Sequence, residues 1–560
     1  MKKILISFLA IITSYCAFTC KQIINSIYNK IKYNDRTTLE LLSLDSDMEN
    51  EVSENISGNI VVSLNVDVES FDKQYLRKSS YDDYLEQANS YFTSQNTNII
   101  NQLNITGFDS YYVSKYTPYI EYTYSYESFL EQKNNIESVI NDNTHVTSAY
   151  ISGYHPEEEG EIQESVADAM DANGLNAADI YENRTYTGAT VNVGLIESGQ
   201  VDATHSELSD NNVYLLRRDH YAPSISTHAT KMARIITGEY GVAPDVNVYS
   251  ADMMDTPCDE VDWMIFNQVD VVNLSFVRTI NEGQYDDFSA YFDYAIANYD
   301  IMFVAATGNL GYSTAYVGNP ALAYNAISVG SSATNKHREG YSSYQVVMGP
   351  YKPTLVAPGC VTMYDELLGI EGTSISCALV TGIIAVLYQK YPVLISNHTK
   401  LITLLTANAE KFDSYSYSLN NGFDNEIGAG ELDYGSVDAN YAMSFDFVNT
   451  TNTHNSFVAT LQIALFQDMT LDVSLAWLVQ SNKTANSLSY SDYDLKIYDD
   501  NNVLLASGAS GYNNIETLRY TNTTEPIQVI TIKVYQYGNA AVSNEEFSIS
   551  YRMFEVEEEE

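Results

Sequence analysis

The sequence has few cysteines and few basic residues for a chain of 560 residues. Cys16 and Cys20 lie near the start, and the three later cysteines are too few for a disulfide scaffold and lack zinc-ligand spacing. The sequence has 28 basic and 73 acidic side chains, which give a formal charge of −45. Nucleic acid and anionic membrane surfaces are bound by clustered Lys and Arg. The composition therefore excludes nucleic acid as a partner and is typical of a well-solvated surface.

Long uncharged apolar runs are also missing beyond the first residues, so no transmembrane segment is expected. Residues 1–20 begin with Met1-Lys2-Lys3 and continue in a short apolar run, which predicts a secretory signal peptide. The protein is therefore expected to be secreted. Lipidation at Cys20 is the alternative and would hold it on the extracellular face of the membrane, although Phe18 is bulky where lipidation signals have small residues.

Periodicity and composition divide the rest of the chain into segments. Residues 21–57 predict a linker. Residues 58–155 read as strand–helix–strand–strand–helix–strand, the order of a ferredoxin-like α+β module, with helices at 81–103 and 129–140. Residues 160–442 alternate short apolar strands with helices, which predicts an α/β fold with a doubly wound, mostly parallel sheet. Residues 445–554 predict a jelly-roll-like β-sandwich, and 555–560 an acidic tail.

The stretch 372–382 (GTSISCALVTG) joins a Gly-Thr-Ser turn to an apolar helix of small residues. Ser374 is thereby placed at a helix N-terminus, where unpaired backbone N–H groups and the positive end of the helix dipole lie. Such a position can stabilise a negative oxygen beside a nucleophile. Ser374 is therefore a candidate catalytic serine.

Three segments upstream of Ser374 contain residues that could act together with it. His228 opens the helical segment 227–238 (THATKMARIITG), Asn309 lies in 304–311 (VAATGNLG) after an apolar strand, and Glu197 ends the strand in 191–199 (VNVGLIESG). Together with Ser374, these segments resemble the subtilisin-like serine peptidases (subtilases) in order and separation. The chain differs from that family in having glutamate where the catalytic aspartate is usual. It also has Ala229 after the histidine, where glycine is usual.

The resemblance implies a role for each of these residues. Glu197 would orient His228, the general base that activates Ser374, and Asn309 would complete the oxyanion hole. Glutamate is one methylene longer than aspartate, so the surroundings must absorb that length. Val277 stands where a glycine usually lines the cleft, and its branched side chain is expected either to narrow the primary pocket or to alter how a substrate strand pairs there. The substrate-binding residues implied by the resemblance are Ser275, Phe276, Val277 and Gly308.

The implied function is a secreted or surface-attached serine endopeptidase that acts on proteins or peptides through an acyl-enzyme. The 58–155 module would be its inhibitory propeptide, cut at an exposed acidic junction near residue 155; a permanently attached domain is the alternative. No cofactor is required and no metal ligand is predicted. Calcium is common in the family as a structural ion, but no residues can be assigned to it, Asp492 and Asp494 being weak candidates. The competing interpretations are a catalytically weak or inactive peptidase fold that acts as a binding protein, and a surface adhesin.

Overall fold

The structure is a computed structural model that describes most of the chain from residue 58 to 555. The described ranges are 58–64, 80–103, 105–108, 110–124, 146–152, 185–208, 212–217, 224–253, 257–278, 283–333, 336–361, 370–419, 421–450, 456–481, 488–489, 491–537 and 544–555, with single positions 128, 132 and 139. The predicted signal peptide, the linker, the junction near residue 155 and the tail after residue 555 lie outside these ranges.

The N-terminal unit is an antiparallel sheet with one long helix. Its elements are β1 (Gly58–Leu64), α1 (Tyr81–Leu103), β2 (Ser110–Val113), β3 (Tyr119–Tyr124) and β4 (Val146–Ser152). The four strands lie in the order β2-β3-β1-β4, and every neighbouring pair is antiparallel. Helix α1 buries Leu85, Ala88, Phe92, Ile99 and Leu103, which repeat at helical spacing along one face. The helix expected over 129–140 lies almost wholly outside the described residues.

The central unit is an eight-stranded sheet with helices packed on it. Its strands lie in the order β11-β10-β9-β8-β5-β7-β6, with β12 beside β10, and all pairs are parallel except β10 with β11. The predicted α/β fold with a mostly parallel sheet is thus confirmed. The elements are β5 (Asn192–Glu197), β6 (Val213–Leu215), α2 (Thr227–Thr237), β7 (Asn247–Asp252), α3 (Pro257–Phe266), β8 (Val271–Leu274), α4 (Asp287–Asn298), β9 (Met302–Ala306), β10 (Ile327–Ala333), β11 (His337–Arg338), β12 (Leu355–Pro358), β13 (Cys360–Val361), β14 (Ile370–Glu371), α5 (Thr373–Lys390), α6 (His398–Ala407) and α7 (Tyr434–Ala439).

Helix α5 is the central helix of this unit. Within the described ranges, it is the one helix with the length and mean hydropathy (1.3) of a membrane span, but 89% of its residues are buried inside the protein. It packs against α2, and its Gly382 lies directly against Val242 in the turn after α2, where an added Cβ would come within 2.6 Å of the Val242 Cβ. Cys377 faces the sheet, with its Sγ 3.2 Å from the Val304 carbonyl oxygen, and it is a free thiol, as are Cys258 and Cys360.

The C-terminal unit consists of two four-stranded sheets that share one apolar core. The sheets have the orders β15-β24-β17-β22 and β16-β23-β20-β21. Trp477, Leu495, Ile532 and Phe547 are among the side chains buried between them. The elements are β15 (Ser444–Asn449), β16 (Ser456–Phe466), β17 (Met469–Trp477), β18 (Gln480–Ser481), β19 (Leu488–Ser489), β20 (Asp492–Tyr498), β21 (Leu504–Gly508), β22 (Ile515–Thr521), β23 (Ile527–Tyr537) and β24 (Glu545–Glu555).

A row of hydroxyl groups joins the C-terminal unit to α6. The threonines of the row are spaced by four and three residues, so they share one face of the helix. Each lies opposite a serine of β17 or β24: Thr399 Oγ1 is 2.8 Å from Ser548 Oγ, Thr403 Oγ1 is 2.8 Å from Ser550 Oγ, and Thr406 Oγ1 is 2.7 Å from Ser474 Oγ. Because these hydroxyls are buried and paired, the C-terminal unit is fixed to the central one by packed polar contacts.

Candidate active site

The nucleophile candidate, Ser374, is the second residue of α5. The helix is preceded by Gly372 at φ 150° and ψ 158°, a backbone conformation that favours glycine. A Cβ at Gly372 would also lie 3.2 Å from Asn309 Nδ2, so a side chain there would crowd the site. Ser374 is 4% exposed, and its Oγ donates a hydrogen bond to the Ser275 carbonyl oxygen at 3.2 Å. The turn therefore places the serine at the helix N-terminus, as the sequence predicts.

The acid and base candidates meet where β5 ends and α2 begins. Ser226 caps α2, with its Oγ accepting from Ala229 N at 3.1 Å, and His228 follows in the first turn. Glu197 is the last residue of β5, and its Oε2 lies 3.2 Å from His228 Nδ1. The Glu197 side chain is fully buried, whereas that of His228 is 22% exposed. The histidine thus has one ring nitrogen beside a carboxylate and part of its ring in contact with solvent.

The other oxygen of Glu197 is held by strand β8. Glu197 Oε1 accepts from Asn273 Nδ2 at 3.0 Å and from Ser275 N at 3.3 Å. Asn273 is itself oriented by Thr381 of α5, whose hydroxyl donates to Asn273 Oδ1 at 3.3 Å. The longer glutamate side chain is therefore accommodated by anchoring one carboxylate oxygen at the sheet, which leaves the second oxygen for His228.

Asn273 is a site residue that the sequence reasoning missed. It is fully buried on β8, and its Nδ2 also donates to Ser275 Oγ at 2.8 Å. Ser275 Oγ in turn donates to the Ser374 carbonyl oxygen at 3.1 Å. The available signal was a lone amide in an otherwise apolar central strand, since a buried polar side chain requires a partner. Asn273 thus links the acid of the site to the helix that carries the serine.

Asn309 lies beside the start of α5 in a fixed orientation. Its Oδ1 accepts from Thr373 N at 3.0 Å and from Thr373 Oγ1 at 3.2 Å, and Gly308 N donates to Thr373 Oγ1 at 3.1 Å. Gly308 has φ 106°, which again favours glycine. Because Oδ1 is occupied by donors, the Nδ2 end of the amide is the one that lies next to Gly372. This orientation is the one needed to donate to a developing oxyanion.

The residues predicted to bind substrate are buried rather than exposed. Ser275, Phe276 and Val277 are all buried, and the Phe276 ring belongs to the main apolar core. The Val277 side chain fills the space beside Gly318, where an added Cβ would lie 2.6 Å from Val277 Cβ. Arg278 N donates to the Asn319 carbonyl oxygen at 2.7 Å, so the segments that carry Val277 and Gly318 are also joined by their backbones. Little space therefore remains between Val277 and Gly318.

Comparisons with known proteins find peptidases. Residues 130–430 match the model of the Subtilase family. The chain is 28% identical to subtilisin DY of Bacillus licheniformis over 248 residues, which cover 40% of this chain and 86% of that protein. It is 31% identical to subtilisin-like protease 2 of Trichophyton equinum over 176 residues, 29% of this chain and 40% of that protein.

Solved structures of peptidases are also matched. Fervidolysin from Fervidobacterium pennivorans, described as a keratinolytic enzyme related to subtilisin, is 15% identical with a TM-score of 0.47, over 83% of this chain and 69% of that one. The prenylagaramide maturation protease PagA is 20% identical with a TM-score of 0.36, over 44% of this chain and 93% of that one.

The family model spans more than half of the residues. The chain belongs to the subtilase family of serine peptidases.

Proposed function

We propose that the protein is a secreted serine endopeptidase that works through a Glu197–His228–Ser374 triad. The observation that carries this proposal is the 3.2 Å approach of Glu197 Oε2 to His228 Nδ1, in a carboxylate whose other oxygen is anchored by Asn273. A buried carboxylate in this position orients the imidazole and stabilises its protonated form. The role does not require aspartate in particular, provided that the carboxylate reaches the ring.

The proposed reaction begins with transfer of the Ser374 hydroxyl proton to His228 Nε2. In the resting structure this hydroxyl donates to the Ser275 carbonyl oxygen, so it exchanges that acceptor for the imidazole as it attacks the substrate carbonyl carbon. The tetrahedral oxyanion accepts from Asn309 Nδ2 and from the Ser374 backbone N–H. His228 then protonates the leaving amine, and water hydrolyses the acyl-enzyme by the same steps in reverse. No cofactor takes part in these steps.

The N-terminal unit is proposed to be the enzyme's own inhibitor and folding aid. It packs on α3 and α4 through a polar interface in which Asp262 of α3 accepts from Tyr112 Oη at 2.7 Å, Ser114 Oγ at 3.0 Å and Lys115 N at 2.7 Å. Burial in this interface raises the pKa of Asp262 to about 7, against the opposing effect of these three donors. These specific contacts support the proposal that the N-terminal unit is part of the folded precursor.

Aromatic contacts extend the same interface to α4 and the turn after it. Tyr84 Oη donates to the Asn298 carbonyl oxygen at 3.1 Å, and the Tyr119 and Tyr291 rings meet edge to face with centroids 4.9 Å apart. These side chains belong to one continuous apolar core that spans both units. The N-terminal unit therefore shields surface that the central unit would otherwise expose while it folds.

Export is proposed from the apolar leader in residues 1–20, with lipidation at Cys20 as the alternative route to the outer face of the membrane. The substrates are proposed to be proteins or peptides, since the charge of −45 disfavours polyanions. The filled space at Val277 further limits the residue that precedes the scissile bond to a small side chain. A weakly active or inactive binding protein is the alternative, and the labelling experiment below separates the two.

The first test is covalent labelling of Ser374 by a fluorophosphonate probe. We expect Ser374→Ala to abolish labelling, because the attacking oxygen is lost, and His228→Ala to reduce it severely, because no base remains. His337→Ala is the matched control: this exposed histidine of β11 lies outside the site and its loss should leave labelling unchanged. Equal labelling of the wild type and the Ser374→Ala variant contradicts the assignment, and an unlabelled wild type supports the inactive alternative.

The second test addresses the glutamate. Glu197→Gln keeps the size but removes the charge, so turnover of a peptide substrate should fall on the order of 10³–10⁴-fold. Glu197→Asp should also reduce turnover, roughly a hundredfold, because the shorter side chain cannot reach both Asn273 and His228. Glu239→Gln, an exposed glutamate beyond α2, is the control. Wild-type turnover in Glu197→Gln would show that another carboxylate orients His228.

The third test follows maturation of the precursor. The wild-type chain, expressed with residues 58–155, should shorten to a product that begins near residue 155–165, as shown by intact mass and N-terminal sequencing. Ser374→Ala should remain full length, because self-cleavage needs the nucleophile. Adding active wild-type enzyme in trace amount controls for folding of the variant, since a correctly folded precursor is then cut at the same point. A full-length wild type with full activity would refute the inhibitor role.

The fourth test concerns specificity. Val277→Gly should open the space beside Gly318, so kcat/KM for Phe relative to Ala before the scissile bond should rise about 10–200-fold. The measurement uses two peptides that differ at this residue alone. Val503→Gly, an exposed position in the C-terminal unit, is the control. An unchanged Phe/Ala ratio in Val277→Gly would show that Val277 does not limit the pocket.

A further inference from the structure

An open cleft of about 710 Å³ lies between the central and C-terminal units. Its walls include four tyrosines, of which Tyr316, Tyr344 and Tyr351 come from the central unit and Tyr512 comes from the loop between β21 and β22. We call it the tyrosine cleft. None of the proposed catalytic residues lines it. Its volume is in the range of ligand-binding clefts, which occur preferentially between domains.

The charged groups in the tyrosine cleft already have hydrogen-bond partners within the protein. Lys352 is 4% exposed, and its ammonium donates to the Ala326 carbonyl oxygen at 2.8 Å and to Thr354 Oγ1 at 3.3 Å. The Asp424 carboxylate accepts from three backbone N–H groups, including Glu426 N at 2.7 Å and Ser416 N at 3.1 Å. Neither group is therefore available to select a charged ligand.

Several neutral polar groups in the cleft, by contrast, are available. Within the described ranges, the hydroxyls of Tyr316, Tyr351 and Tyr512 and the side-chain amides of Gln345 and Asn425 make no hydrogen bond to another residue. Each amide offers donors and an acceptor, and each phenol hydroxyl can both donate and accept a hydrogen bond. The cleft thus combines flat aromatic faces with uncharged hydrogen-bonding groups.

Part of the backbone along the cleft is already paired within the protein. Gln345 N donates to the Ala315 carbonyl oxygen at 2.8 Å, and Gln345 O accepts from Val317 N at 2.9 Å. Met348 is engaged in the same way, donating to the Gly283 carbonyl oxygen at 3.0 Å and accepting from Tyr285 N at 2.7 Å. Since strand addition needs unpaired backbone groups, Gln345 and Met348 contribute to recognition through their side chains.

The aromatic lining is also held in place from beneath. The Tyr512 side chain is 70% exposed, but its loop is fixed by the buried Asn514, whose Nδ2 donates to the Trp477 carbonyl oxygen at 2.8 Å and to Asn325 Oδ1 at 3.2 Å. Across the cleft, the Arg338 guanidinium covers the Tyr344 ring at 4.3 Å. Exposed rings on anchored backbone lose little conformational freedom when a ligand binds.

We propose that the tyrosine cleft binds a neutral oligosaccharide. The C–H faces of pyranose rings pack on flat aromatic surfaces, and their hydroxyl groups exchange hydrogen bonds with amides and phenols. An anionic glycan lacks an available cation in the cleft and is repelled by a chain of charge −45. An extended peptide would meet the backbone groups of Gln345 and Met348 already paired within the protein. This proposal is independent of the peptidase reaction, because no catalytic residue lines the cleft.

The experiment uses the full-length Ser374→Ala chain, which cannot cut itself, and titrates it calorimetrically with N-acetylchitohexaose, cellohexaose and a heparin hexasaccharide. We expect at least one of the two neutral hexasaccharides to bind with a dissociation constant below about 1 mM and the heparin probe not to bind. A second substitution in the same chain, Tyr512→Ala, should weaken binding about tenfold, because one stacking face is lost.

One control variant and a second cleft variant keep the outcome clear. Tyr537→Ala removes a tyrosine of similar exposure (55%) from the end of β23 in the same unit and should leave the affinity unchanged. Asn425→Ala removes an exposed amide of the cleft and should weaken binding several-fold without affecting folding. The proposal is overturned if neither neutral hexasaccharide binds, if the heparin probe binds more tightly than both, or if Tyr537→Ala lowers the affinity as much as Tyr512→Ala.

Discussion

The active site depends on the two-sided engagement of a single buried carboxylate. Glu197 is held on the sheet side by Asn273 Nδ2 and Ser275 N, and on the other side it approaches His228. A buried carboxylate is costly to desolvate unless its oxygens have partners. These contacts supply the partners and at the same time fix where the histidine ring lies. The same Asn273 amide reaches Ser275, which contacts the serine helix, so the proposed acid, base and nucleophile share one support.

Polar contacts join the N-terminal and C-terminal units to the central unit. On the N-terminal side, tyrosine hydroxyls and the Asp262 carboxylate carry the contact, and on the C-terminal side the threonine–serine row of α6 does so. Buried polar groups must be matched in position and direction, so interfaces of this kind hold the two units that they join in one relative position. The C-terminal unit therefore contributes to the tyrosine cleft with a defined geometry, which a flexible tether would not provide.

Much of this arrangement follows from local sequence patterns. The helix expected at 81–103 and the mostly parallel sheet have strong periodic signals, and the motifs around Glu197, His228, Asn309 and Ser374 each sit where a strand stops or a helix starts. Parallel strands end at one edge of a sheet, which is why distant motifs meet. What the sequence could not show depends on contacts between segments far apart in the chain. Asn273 looks like a strand residue until Glu197 is placed beside it. Likewise, Val277 meets Gly318, and Tyr512 lines the same cleft as Tyr316, only in the folded chain.

The most direct test of the proposed triad is a crystal structure of the mature protein after reaction with a fluorophosphonate. We expect a phosphorus–oxygen bond at Ser374 Oγ, with the phosphoryl oxygen within hydrogen-bond distance of Asn309 Nδ2 and the Ser374 N–H. Glu197 Oε2 should remain beside His228 Nδ1. An adduct at another residue, a phosphoryl oxygen directed away from Asn309, or a carboxylate other than Glu197 on His228 would contradict it.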